Sequence, residues 1–243
     1  MKSDFIFGIR PVIEAINAGK NVEKILFRKE LQGELSKGLL SLARENKIMY
    51  QFVPVERLNR ITRKNHQGVI AFISPIEYTA IDHLVPLLYE RGETPFIVVL
   101  DGITDVRNLG AIARTAECAG AHAVVLATKG SAQINADAMK VSAGALHNIP
   151  VCKVDDLAKT VIFLKDSGLE LFVASEKATE AHFANEFTKP LALIMGAEDT
   201  GVSPALLRIA DKLIRIPILG TIESLNVSAA AAVLMYEVVR QRS

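Results

Sequence analysis

The chain is poor in cysteine and has no tryptophan. Cys118 and Cys152 are the only 2 cysteines in 243 residues, and neither belongs to a Cys-x-x-Cys pair. That excludes a disulfide framework, and both are read as small buried residues. His66, His83, His122, His147 and His182 are scattered, with no HExxH or other close pairing, so no metal site is expected. No apolar run approaches the ~20 residues of a membrane helix. The opening MKSDFIFGIR lacks the apolar core of a signal peptide, and the cytoplasm is the expected compartment. GxGxxG is missing, which removes the glycine loop of dinucleotide and common Rossmann folds. GxSxG is missing too, and with it the most familiar serine hydrolase signature.

What is present is an ordinary globular composition, 50% hydrophobic and 23% charged, in a length suited to one large domain or a medium one plus a small one. The net charge of +1 hides an asymmetry. Residues 1–76 carry 13 Lys+Arg against 7 Asp+Glu, a stretch at 77–94 is net −3, and residues 95–243 carry 14 against 16. The basic surplus sits in the first third. There, helical patterns (PVIEAINAG, ELSKGLLSLARENK) alternate with apolar runs (KILF, YQFVPV, GVIAFI), which predicts a small α/β domain over 1–76. Residues 77–94, a short amphipathic helix bounded by prolines and Gly92, are expected to be a linker. From Pro95 the runs FIVVL, AVVLA, LFVAS, LALIM and LIRIPI alternate with helical segments, the pattern of a mostly parallel sheet covered on both faces.

In such a sheet ligands gather at the carboxyl ends of strands, so three loops matter. In LDGITDVRNLGAIARTAECAG (100–120), Asn108 stands where an N-cap would. Arg114 leans back toward position 110, where Gly110 leaves room. Two roles are open to Arg114, reaching the mouth of the sheet or pairing with Glu117 one turn on. In LALIMGAEDTGVSP (191–204), Gly196 and Gly201 have phosphate-loop spacing, but Val202 and Ser203 replace the Lys and Ser/Thr that a nucleotide triphosphatase needs. The loop carries Glu198 and Asp199. In IPILGTIESLNVSAAAA (216–232), Ser224 or Asn226 caps a helix whose alanines permit close packing.

Taken together, NLGAIART (108–115), IMGAEDTG (194–201) and IPILGTIESLNVSAAAA (216–232) resemble the three motifs of SpoU-type RNA ribose 2′-O-methyltransferases. GIRPVIEAI (8–16) and NHQGVIA (65–71) are similar to the substrate-binding domain of the branch that methylates a guanosine of large-subunit (23S) ribosomal RNA. The resemblance implies an α/β fold. Its catalytic domain, over 95–243, is a parallel-sheet domain with a deep trefoil knot, and its small N-terminal domain is a ribosomal-protein-like RNA-binding α/β fold. It implies S-adenosylmethionine as methyl donor, no metal, RNA as substrate and a homodimer. Matched onto this chain, the catalytic polar residues are Arg114, Asn108, Glu198, Ser224 and Asn226. The cofactor-binding positions are Gly196, Ile216 and Leu225, with Ala174 and Ser175 after the LFVAS strand. Arg57, Arg60, Arg63 and Lys64, in the acid-free RLNRITRKNH, are the candidate RNA contacts, with a solvated charged face as the other reading. Transfer RNA as substrate and a catalytically silent RNA-binding relative are the alternatives. Glu223 departs from the family pattern by adding a charge beside Ser224.

Overall fold

Three apolar runs of the first third become strands, and β1 (Phe5–Phe7) completes their sheet. The computed structural model describes residues 5–243 and falls into two units, one ending at Glu77 and one spanning Tyr78–Ser243. In the first, α1 (Ile9–Asn17), β2 (Val22–Arg28), α2 (Glu34–Glu45), β3 (Met49–Val53), α3 (Val55–Ile61) and β4 (Val69–Ile73) follow in order. The sheet order is β1-β4-β2-β3, mixed, with β4 antiparallel to β1 and β2 and β3 parallel to β2. Val12 and Ile16 of α1, and Leu39 and Ala43 of α2, stand one helical turn apart and pack on Ile25, Phe27, Val69 and Ala71. The alternate residues Leu26 and Ile70 face the other way, onto Leu58 of α3. Leu58 is the one buried residue of α3, too few to show a helical period in the sequence.

The second unit begins with α4 (Ile81–Glu90). The linker expected over 77–94 is corrected here. Ile81, Leu84, Val85 and Leu88, one face of α4, are buried in the same core as Ile97, Val99 and Leu171. The apolar stripe that reads as a short amphipathic helix is therefore part of a domain. Next come β5 (Phe96–Asp101), α5 (Val106–Cys118), β6 (Ala123–Ala127), α6 (Ala136–Val141), β7 (Val151–Val154) and α7 (Leu157–Asp166). The chain continues through β8 (Glu170–Ala174), β9 (Glu180–Ala181), β10 (Leu191–Gly196), α8 (Pro204–Ile209), β11 (Lys212–Arg215) and α9 (Val227–Arg242). The seven strands are parallel in the order β7-β6-β5-β10-β8-β11-β9. The chain runs outward from β5 through β6 to β7. It then returns to the other side, where β10 and β11 are inserted beside β8. This reversal between β5 and β10 is a topological switch point.

Each of the five apolar runs from Pro95 onward contributes a strand, but the last stops at Arg215, short of Pro217, which has no amide hydrogen for a ladder. The two cysteines part company. Cys152 is buried in β7, and burial together with the charge of Asp82 pushes its thiol up to about 12. Cys118 is exposed at the end of α5, because its position falls off the stripe formed by Leu109, Ile112, Ala113 and Ala116. No helix among the described residues is long and apolar enough to cross a membrane.

α9 is fixed at its far end. Gln241 accepts from the Phe187 amide at 2.7 Å and donates to the Asn185 carbonyl at 2.9 Å. The Arg242 guanidinium donates to the carbonyls of Phe187, Thr94 and Lys189 at 3.0, 3.0 and 2.6 Å and lies 5.6 Å from the Phe96 ring centre. These bonds tie the end of the helix to the segments that lead into β5 and β10.

Candidate active site

The loop after β10 folds back on itself. Ala197 and Gly201 exchange two backbone hydrogen bonds, at 3.1 and 2.9 Å, and close a tight turn that presents Glu198, Asp199 and Thr200. A Cβ on Gly196 would lie 2.2 Å from the Gly201 carbonyl carbon, so only glycine permits the turn. The turn is secured to β5, where the Asp101 carboxylate accepts from the Ser203 amide at 2.7 Å.

Asn226 joins the three loops. It caps α9, its Oδ1 accepting from the Ser228 amide at 3.0 Å and the Ser228 hydroxyl at 2.5 Å. Its Nδ2 donates to Asn108 Oδ1 at 3.1 Å and to Glu198 Oε1. Glu198 Oε1 also accepts from the Val227 amide at 3.3 Å, so a carboxylate sits at the positive end of a long helix, where it is favoured. The two ends of one amide group thus both cap α9 and link Asn108 with Glu198.

Beside this cluster, at the carboxyl ends of β8, β10 and β11, lies a cavity of about 260 Å³. Ala174, Ser175, Gly196, Ile216 and Leu225, the five positions matched to cofactor binding, all line it. Glu198 and Ser224 line it too. Its lining includes the apolar Met195, Val202 and Leu234, the carboxylates of Glu176, Asp199 and Glu223, and the cations Lys177 and Arg215. Apolar lining suits a flat heterocycle, and four carboxylates against the two cations Lys177 and Arg215 leave a net negative lining that favours a cationic sulfur or amine. Among the described residues no group of three or more His, Cys, Asp or Glu is gathered as for a metal ion.

Several expectations for individual residues change. The N-cap of α5 is Asp105, whose Oδ1 accepts from the Arg107 amide at 2.6 Å. Asn108 lies inside the helix, which frees its side chain for Asn226. The room at Gly110 is taken by α6: a Cβ there would meet the Ala138 carbonyl oxygen and the Val141 Cβ, each at 2.9 Å. Arg114 is exposed, and among the described residues it has neither an ion pair with Glu117 nor a hydrogen bond to Asn108. Six residues separate Arg114 from Asn108, about 120° around the helix, so Asn108 does not orient it. Ser224 reaches the cavity without a hydrogen bond to the Asn108, Glu198 and Asn226 cluster.

Asp101 is the site residue missed in the sequence; its signal was an acid closing an otherwise apolar strand, FIVVLD. In the first unit, Arg57 and Arg60 on α3, followed by Arg63 and Lys64, are exposed, whereas His66 is buried. His66 Nδ1 accepts from the Gly68 amide at 3.0 Å and Nε2 lies 3.0 Å from Asn59 Oδ1. It shapes the loop instead of facing solvent.

A parallel sheet with a ligand-sized cavity at the carboxyl ends of β8, β10 and β11, lined by residues of the glycine turn and of the loop before α9, defines an α/β ligand-binding domain preceded by a small basic domain. Residues 95–236 match the SpoU rRNA Methylase family, and residues 5–79 match the family described as RNA 2'-O ribose methyltransferase substrate binding. The chain belongs to the SpoU family and is an RNA methyltransferase. It is 33% identical over 240 residues to YacO of Bacillus subtilis (strain 168), assigned to the TrmH family of tRNA/rRNA methyltransferases, covering 99% of this chain and 96% of that one. It is similar to the crystal structure of the SpoU methyltransferase AviRb from Streptomyces viridochromogenes in complex with AdoMet. There the TM-score is 0.62 at 25% identity, with 98% and 90% of the two chains covered. The A. aeolicus TrmH/SpoU tRNA modifying enzyme is 31% identical with a TM-score of 0.56, covering 66% of this chain and 83% of that one.

Proposed function

We propose that the protein transfers the methyl group of S-adenosylmethionine to a ribose 2′-hydroxyl of RNA, and that its substrate is a guanosine of large-subunit ribosomal RNA. The observation that carries the reading is Asn226, whose one amide group links Asn108 and Glu198 at the rim of the cavity. Ribosomal RNA is favoured by the first unit, which matches a substrate-binding family and carries the basic surplus. Transfer RNA is the second reading, favoured by the likeness to a tRNA modifying enzyme that covers 66% of this chain. The knot and homodimer belong to the same reading. The knot draws support from the insertion of β10 and β11 beside strands formed earlier in the chain. The dimer draws support from Leu219 and Ile222, 98% and 74% exposed in the loop before α9. A cytoplasmic location completes it.

S-adenosylmethionine supplies an electrophilic methyl carbon on a sulfonium. The new carbon–oxygen bond would replace the carbon–sulfur bond, whose electron pair would leave on the neutral thioether S-adenosylhomocysteine, and the hydroxyl proton would pass to solvent water. The chain's residues hold and orient. Backbone at Gly196, Ile216 and Leu225, with Ala174 and Ser175, cradles the donor, and Glu223 adds negative charge that favours a sulfonium over a neutral thioether. Glu198 and Asn226 keep the glycine turn and the α9 terminus in register, and Ser224 is free to meet the ribose. Arg114 is permanently protonated and donor-only, so its part is to hold a phosphate of the substrate and stabilise charge developing on the 2′-oxygen. Arg57, Arg60, Arg63 and Lys64 contact RNA phosphates.

The test is incubation with labelled S-adenosylmethionine and either unmodified 23S ribosomal RNA or transfer RNA, followed by mapping of the modified ribose. Label confined to transfer RNA moves the assignment to the second reading, and none on either removes the methyl-transfer role. In the same assay Arg114→Ala is expected to abolish transfer while the donor binds as before. Normal turnover by that variant would sink its assignment.

A further inference from the structure

The edge of the first unit's sheet carries a pair of aromatic rings that the core does not use fully. Tyr50 and Phe52 stand two residues apart on β3, so they share a face. Their register partners on β2 are Ile25 and Phe27, both buried beneath α1 and α2. The rings therefore lie on the helix-covered face, yet they remain 36% and 44% exposed. The cover stops short of the edge strand. Phe27 supports both from within, its ring centre 6.2 Å from Tyr50 and 5.6 Å from Phe52, while Tyr50 and Phe52 meet at 6.0 Å with planes 84° apart. From α2 the Arg44 guanidinium lies 5.9 Å from the Tyr50 ring centre, and its Nε donates to the Tyr50 hydroxyl at 3.2 Å.

We propose that Tyr50, Phe52 and Arg44 form a stacking platform for unpaired bases of the RNA substrate. The inference rests on RNA being the substrate. Two partly exposed aromatic rings set edge to face, with a guanidinium over one of them, in a domain with 13 Lys+Arg against 7 Asp+Glu, offer π surface to bases and positive charge to the backbone. A protein strand added to β3 would use its free backbone edge, and the excess of positive charge selects a polyanion instead. The candidate phosphate contacts Arg57 and Arg60 are on α3, which packs on the opposite face of the sheet through Leu58. β3 is the edge between the two faces and leads into α3 through Pro54. A single strand passing around that edge reaches the rings on one side and the cations on the other, a path that a stiff duplex cannot follow.

The test uses the full chain with Tyr50→Leu and Phe52→Leu, singly and together, because leucine keeps apolar cover and removes the π face. Binding of a labelled, unstructured single-stranded RNA is followed by fluorescence anisotropy, with donor affinity and melting temperature as controls. Each substitution is expected to weaken RNA binding by about 5-fold or more, with both controls unchanged. The chain has no tryptophan and 4 tyrosines, so tyrosine emission is read directly; RNA is expected to quench it in the native protein and less in Tyr50→Leu. Equal affinity in the double variant overturns the platform. So does unquenched emission from the native protein, which decides the matter should the variants melt early. Lost self-association or protein binding with RNA affinity intact overturns it as well. Binding is read without turnover, so a protein that binds through these rings but methylates nothing would refute the proposed reaction and leave the platform standing.

Discussion

At the scale of single residues, Asn226 has two jobs that mutation can separate. Serine is as good an N-cap as asparagine, but it lacks the amide donor that reaches Asn108 and Glu198. Asn226→Ala is expected to cost about 1 kcal/mol through the lost cap, and Asn226→Ser only a few tenths. Both should reduce methyl transfer by about 100-fold, the scale on which misplacing a site by an ångström is felt. Denaturant unfolding and single-turnover transfer measure the two effects independently. If Asn226→Ser transfers methyl normally and only the alanine variant is slow, the cap is the whole of the residue's role. Gly196 illustrates a different lesson. Its spacing to Gly201 looks like a device for bringing backbone to a ligand, yet the close approach it permits is to Gly201 itself. The backbone that lines the cavity there is a consequence of the turn.

Among the elements, α9 couples the site to the base of the sheet. Its cap is Asn226, its first amide bonds to Glu198, and its last turn is fastened by Gln241 and Arg242. Between them lies Glu237, 8% exposed, which takes hydrogen bonds from Arg240 at 2.9 and 2.6 Å and from Gln241 at 2.7 Å. The bonds from Arg240, aided by Gln241 and by the charges of Arg240 and His182, outweigh burial and hold its carboxyl at about 2, well below the ordinary 4.5. A carboxyl depressed in the folded state stabilises above its unfolded value, and that stability is lost as pH falls through the folded one. Glu237→Gln is therefore expected to be less stable than the native protein at neutral pH, the gap closing between about 4.5 and about 2. Urea midpoints across that range check it, and a gap independent of pH would assign the effect to shape instead of charge. The same scale explains what the sequence made legible. Buried parallel strands such as FIVVL and LALIM announce themselves because both faces are apolar. β7 does not, since VCKV is short and Lys153 interrupts it, and neither does α3, with one buried residue. The site's polar cluster joins positions 118 and 28 residues apart. Periodicity cannot bring such distant side chains together, so their grouping came from resemblance to known motifs.

For the whole molecule, the question is how far each unit stands alone. The cores are separate in composition: Val12, Ile25, Phe27, Leu39 and their neighbours in the first, and a continuous cluster beginning at Ile81 in the second. The charges are separate as well, since residues 78–243 carry 15 Lys+Arg against 19 Asp+Glu and the basic surplus lies before them. All five positions matched to the donor belong to the second unit, as do Asn108, Arg114, Glu198 and Asn226. A chain of residues 78–243 is therefore expected to fold and to bind S-adenosylmethionine as the full protein does, because α4 stays with the core it completes. Its RNA affinity should fall. The dependence of that affinity on salt should become shallower too, because every phosphate that is no longer neutralised takes about 0.7 off the slope for a single strand. Calorimetry with the donor and anisotropy with RNA over a salt series measure both. Starting the shorter chain at residue 95 instead should fail in a different way, through loss of Ile81, Leu84, Val85 and Leu88 from the core. If residues 78–243 bind RNA with the full protein's affinity and salt slope, the first unit is not the substrate-binding element. The second unit would then have to hold RNA against its own negative charge, through Arg114 and the few cations near the cavity.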